Sequence, residues 1–124
     1  MAVVPAPLAH THELGGARFT SLATPSRGSS DTCVWRVEIA PGTPGTAHQL
    51  TREEVFVVLE GRAEVRLGDT VSSAGPGDAI VVPPGVPFAL SPEGDEALRA
   101  LCCLPVGGQG QLADGEPFTP PWAL

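Results

Sequence analysis

Glycine and proline interrupt this chain every few residues, and that spacing restricts its folds more than any other feature. There are 15 Gly and 14 Pro among 124 residues, well above ordinary usage. They fall between short apolar runs and do not form one low-complexity block. A helix of more than about two turns needs apolar residues spaced by three and four, and no stretch sustains that spacing without a Gly or Pro. What remains is a set of short strands joined by turns.

The strands can be placed by alternation. Cys33 to Ile39 reads C-V-W-R-V-E-I, with Cys33, Trp35, Val37 and Ile39 on one face and Arg36 and Glu38 on the other. Arg62 to Leu67 repeats the pattern, Ala63, Val65 and Leu67 lying opposite Arg62, Glu64 and Arg66. Val55 to Leu59, Ala79 to Val82, Phe88 to Leu90 and Ala97 to Leu104 are further apolar runs. They are bounded by turn residues such as Glu60-Gly61, Gly68-Asp69, Pro83-Pro84-Gly85 and Glu93-Gly94-Asp95. An all-β sandwich or barrel is expected, with Trp35, Val37, Phe56, Val58, Val65 and Phe88 inside. It spans residues 31–104, between an N-terminal segment 1–30 with a strand around Ala17 to Leu22 and a Pro/Gly-rich tail 105–124. The tail ends in Pro120-Pro121-Trp122, and Trp122 is expected to clasp it onto the barrel, since a large aromatic seldom stays exposed.

The length suits one domain and is too short for two cores. With 42% apolar and 17% charged residues, the chain is expected to fold and not to behave as a disordered tail. Its formal net charge is −7 and its seven basic residues are all Arg, scattered from Arg18 to Arg99 with no cluster to track a phosphate backbone. Nucleic acid is therefore not an expected partner. Met1 to His10 carries no basic region and is interrupted by Pro5 and Pro7, and no apolar run is long enough to span a bilayer. No membrane association and a cytoplasmic location are expected. Cys33, Cys102 and Cys103 make an odd count with two adjacent, which suits buried thiols in a reducing compartment better than a disulfide framework.

From Gly42 the chain runs G-T-P-G-T-A-H-Q-L-T-R-E-E-V-F-V-V-L-E-G, and from Gly77 it runs G-D-A-I-V-V-P-P-G-V-P-F. The first segment resembles the first cupin motif, G-x5-H-x-H-x3-E-x6-G, with Gly42, His48, Glu54 and Gly61 in place. The second resembles the second motif, G-x5-P-x-G-x2-H, through Gly77, Pro83 and Gly85. Seven matched positions in two motifs of the right order identify the chain as a small single-domain cupin. The resemblance implies the double-stranded β-helix, or jelly-roll barrel. It also implies a symmetric homodimer that pairs through an outer sheet face and exchanged terminal strands, with Val55, Val57 and Leu59 opposite Phe56 and Val58.

In cupins the histidines and glutamate of the two motifs hold one divalent metal, and this chain departs from the pattern there. Leu50 stands at the second histidine and Phe88 at the histidine of the second motif, and neither side chain has a lone pair to donate. His48 and Glu54 alone form a site two ligands short. The expected cofactor is none, or a weakly bound divalent metal on His48 and Glu54. His10 and His12 would share a face if their segment were extended, and Cys102 lies on an inward strand face; these are the residues that could complete a metal site.

Replacing two imidazoles by Leu50 and Phe88 leaves an apolar cavity with two convergent polar groups, the general form of a small-molecule site. Three functions fit. The cavity binds a small molecule, with His48 and Glu54 orienting it and Trp35, Leu50, Phe56, Phe88 and Cys102 supplying contact. Alternatively, His48 and Glu54 act as general acid and base in an isomerisation, cyclisation or dehydration. The third is a metal-dependent oxygenase or isomerase that recruits His10, His12 or Cys102.

Overall fold

A computed structural model describes residues 3–124; residues 1 and 2, which open the N-terminal segment 1–30, lie outside the described residues. The strands are β1 (His12–Leu14), β2 (Ala17–Ala23), β3 (Thr32–Ile39), β4 (His48–Leu50), β5 (Glu54–Glu60), β6 (Ala63–Leu67), β7 (Thr70–Ala74), β8 (Ala79–Val82), β9 (Phe88–Pro92), β10 (Leu98–Pro105) and β11 (Gly110–Leu112). They form a six-stranded sheet in the order β1-β2-β3-β10-β5-β8 and a five-stranded sheet in the order β11-β4-β9-β6-β7. Every pairing is antiparallel. This is the jelly-roll architecture the motifs imply, with the core between the two sheets.

Alternation drives the longer strands. In β3, Cys33, Trp35 and Val37 are buried while Arg36 is exposed, and in β10 Leu98, Ala100, Cys102 and Leu104 are buried. The buried row of β5 is Glu54, Phe56 and Val58, so a carboxylic acid occupies a core position on a strand otherwise apolar within. Strand β10 lies between β3 and β5 with Cys102 opposite both Trp35 and Phe56. Cross-strand partners point the same way, so Trp35, Cys102 and Phe56 make one row on the inner face. Val65, Val82 and Phe88 close the core from the other elements.

Strands β7 and β11 carry no apolar alternation and were not expected. Strand β7 reads T-V-S-S-A and is exposed over its first four residues; it is an edge strand held by its ladder to β6. Strand β11 pairs with β4 through Gly110 opposite Leu50 and Leu112 opposite His48, which draws the Pro/Gly-rich tail into the five-stranded sheet. Beyond it, a 3₁₀ turn over Pro121–Ala123 lies against the six-stranded sheet. Trp122 stacks on Phe19 of β2 with ring centres 3.6 Å apart and planes 4° from parallel. Ser21 donates from its hydroxyl to the Trp122 carbonyl at 2.8 Å, and Ser26 donates to the Leu124 carbonyl at 2.6 Å.

Gly61 shows why its motif position takes no side chain. Its φ is +75°, and a Cβ there would press into the carbonyl of Ala97, the residue before β10.

Candidate functional site

The space between the sheets opens as a cavity of about 160 Å³. Strand β3 contributes Trp35, Val37 and Ile39, β4 contributes His48 and Leu50, and β5 contributes Glu54 and Phe56. Cys102 and Leu104 come from β10, Ala17 and Phe19 from β2, and Leu90 from β9. The tail supplies Gly110, Phe118, Pro120 and Trp122. His48, Glu54, Trp35, Leu50, Phe56 and Cys102 thus share one wall system. Phe88 stands behind it, its ring 4.3 Å from that of His48 and 5.9 Å from that of Phe56.

Glu54 opens β5 and its alternation turns the side chain inward, where only 4% of the residue is exposed. Among the described residues no hydrogen bond reaches its carboxyl, whose environment acts through burial. Burial, which penalises the charged form, pushes its pKa from an ordinary 4.5 to about 8. The carboxyl is therefore largely protonated at neutral pH and faces the cavity that His48 also lines.

His48 lies at the start of β4, opposite Phe88 of β9 and Leu112 of β11. Its Nδ1 is 2.8 Å from the Thr46 carbonyl oxygen. A carbonyl can only accept, so Nδ1 carries the hydrogen and, in the neutral ring, Nε2 is left as an acceptor. His48 and Glu54 line the same cavity without a hydrogen bond between them. Cys102 is fully buried and its thiol is held well up, by desolvation first and then by the charges of Glu54 and Cys103. It contributes a neutral, weakly polar thiol to the wall.

Gln49 points away from this space and donates through Nε2 to Gln111 Oε1 at 3.3 Å. His10 and His12 are not in the wall. His10 lies over the outer face of the six-stranded sheet with its Nε2 3.4 Å from Glu13, and the His12 ring meets Trp122 edge-on at 6.4 Å. Among the described residues no three His, Cys, Asp or Glu side chains converge closely enough to hold one metal ion. With Leu50 and Phe88 at two of the four motif positions, the donors that remain do not make up the family's usual ligand set.

Phe19, Leu90, Leu104, Phe118, Pro120 and Trp122 were not singled out as lining residues from sequence. Phe19 and Leu104 carried a signal, since alternation along β2 and β10 puts them on the inner face with Ser21 and Cys102. Phe118 and Pro120 carried none, because they lie in irregular chain brought to the cavity only by β11 and the tail.

Two antiparallel sheets with motif glycines at their turns and a cavity between them define the class: a small jelly-roll barrel. Residues 35–104 match the cupin domain family, and the chain belongs to the cupins. It is 36% identical over 53 residues to the uncharacterized protein MJ1618 of Methanocaldococcus jannaschii, and that likeness spans 43% of this chain and 42% of the archaeal protein. The polyketide cyclase RemF from Streptomyces resistomycificus superposes with a TM-score of 0.74 at 22% identity, over 91% of this chain and 82% of RemF. KdgF from a Halomonas species gives 0.62 at 26% identity, over 77% and 84%. An RmlC-like cupin from Shewanella frigidimarina gives 0.68 at 18%, over 78% and 82%.

Proposed function

We propose that this cupin binds a small molecule in its barrel interior and does so without a tightly held metal, His48 and Glu54 orienting the ligand and Trp35, Leu50, Phe56, Phe88 and Cys102 shaping the space around it. One observation carries the reading: Glu54 places a carboxyl with no protein partner in an otherwise apolar cavity. Desolvation alone raises its pKa, and a donor or acceptor on a ligand in the cavity would supply the hydrogen bond that buried polar groups ordinarily make.

Both tryptophans of the chain, Trp35 and Trp122, line the cavity, so intrinsic fluorescence reports its occupancy. Small-molecule fragments should change that fluorescence saturably, and Phe88→Ala should shift their affinities by about tenfold, roughly 1.4 kcal/mol. Binding indifferent to changes at His48, Glu54 and Phe88 alike would make the interior only a core. For the metal, elemental analysis of the purified protein should find well under one equivalent of any transition metal, and Leu50→His combined with Phe88→His should raise it. Full occupancy in the unaltered chain would overturn the metal-free part of the reading.

A catalytic version has its own support. His48 keeps Nε2 as a base while Glu54 holds its proton near neutrality, and a pair with opposite proton roles is what an isomerisation, cyclisation or dehydration requires. Glu54→Gln should then abolish turnover and leave ligand affinity within about tenfold.

The homodimer is a proposal of the same standing. The outer face of the six-stranded sheet carries a row of Val34, Cys103, Val55 and Val81, with Leu101 and Val57 beside it. Val81 is 51% and Leu59 44% exposed. A contiguous apolar sheet face of this kind is normally covered, and a second copy covers it symmetrically.

A further inference from the structure

The chain has six aromatic residues, four Phe and two Trp, and no Tyr. Phe19, Trp35, Phe56, Phe118 and Trp122 all line one cavity, and the sixth, Phe88, packs against His48 and Phe56 at its edge. Aromatic walls attract an aromatic ring in offset or edge-on geometry beyond the gain from burial alone. The volume of about 160 Å³ is close to that of an apolar cavity of about 150 Å³ that takes up benzene. The space therefore suits one ring with a small substituent.

Charge narrows the substituent. All seven strongly basic side chains are Arg and none lines the cavity; Arg18, Arg36 and Arg99 lie on the outer face of the six-stranded sheet. An anionic ligand would lose its hydration with no guanidinium to meet it, beside a carboxyl group. Hydrogen bonding narrows it further. The polar groups to be met are the carboxyl of Glu54, which among the described residues makes no hydrogen bond, and the ring of His48, whose Nδ1 is committed to the Thr46 carbonyl so that Nε2 is the acceptor. A hydroxyl both donates and accepts, so it can satisfy a carboxyl in either protonation state and can also donate to an imidazole nitrogen.

We propose that the cavity takes an uncharged hydroxylated aromatic ring the size of a simple phenol, its ring among Trp35, Phe56 and Trp122 and its hydroxyl turned to Glu54 and His48. This rests on the reading that the barrel interior is a small-molecule site, and it adds the chemical class.

The probes are phenol, toluene and benzoate, titrated into the full chain and read by the fluorescence of Trp35 and Trp122. Phenol should bind saturably, and benzoate at least about tenfold more weakly. In Glu54→Leu the affinity for phenol should fall about tenfold relative to that for toluene, whose retained binding shows that the variant still forms the cavity. Benzoate binding as tightly as phenol, or an unchanged ratio of phenol to toluene in the variant, would overturn the class while leaving the interior a ligand site. No binding of any probe to the unaltered chain would overturn both readings. If Glu54→Leu does not fold, the comparison of phenol with benzoate on the unaltered chain decides by itself.

Discussion

An acid walled in by aromatic and aliphatic side chains works against the fold as pH rises. Glu54 has its pKa raised from 4.5 to about 8 by burial, whereas in the unfolded chain it ionises near its ordinary value. Between about pH 4.5 and 8 the unfolded chain therefore releases a proton that the folded chain keeps. Stability contributed by the neutral form is full below that window, declines through it and levels off above, a total on the order of a few kcal/mol. Glu54→Gln should flatten this slope and give a variant more stable than the parent at pH 8, as read by urea midpoints across the range. A slope unchanged by the substitution would show that Glu54 is already paired. Its inward, buried position was legible from its motif spacing and its place on β5. The apolar surroundings that raise its pKa were not, because Phe19, Phe118 and Trp122 reach the same cavity from distant parts of the chain.

At the level of strands and turns, alternation located β3 and β6, and apolar runs between turn residues located β5, β8 and β10. Both signals failed for β7 and β11, which exist through backbone ladders to β6 and β4 and bury little. A strand held by its neighbour leaves no hydrophobic period to read. The turn glycines were more legible, because their constraint is local. Gly61 must hold a positive φ and leave room for the Ala97 carbonyl, so Gly61→Ala should cost about 2–3 kcal/mol in equilibrium unfolding. A loss within the error of the measurement would mean that the β5–β6 turn can relax. The register of β10 against β3 and β5 matters as much to the site, since it sets Trp35, Cys102 and Phe56 in one row; a slip of one residue would put Arg99, Leu101 and Cys103 inside.

At the scale of the whole molecule, the six-stranded sheet has one face on the cavity and one on the outside, and the outer one is apolar over Val34, Val55, Val57, Val81 and Leu101. Val57→Glu with Val81→Glu should shift sedimentation at micromolar concentration from a dimer to a monomer while leaving the far-ultraviolet spectrum unchanged. A parent chain that sediments only as a monomer would overturn the dimer. The barrel as a whole was readable because two motifs set its turns and their order, but the closing of its interior was not. That closing depends on the tail, where Trp122 gave the expectation of a clasp but the β11 pairing has no local signature.

The tail also sets when the site can exist. Ser21 and the Trp122 carbonyl are 101 residues apart along the chain, Ser26 and the Leu124 carbonyl 98, and Cys33 and the Ala123 carbonyl 90. Contacts of such separation form late, since the closure of long loops must come before any gain from them. A chain emerging from the ribosome N-terminus first brings out Trp35, His48 and Glu54 long before Phe118 and Trp122. Until those residues are made, the space between the sheets is an open trough with an apolar floor, and the arrival of the tail turns a sticky intermediate into a lined cavity.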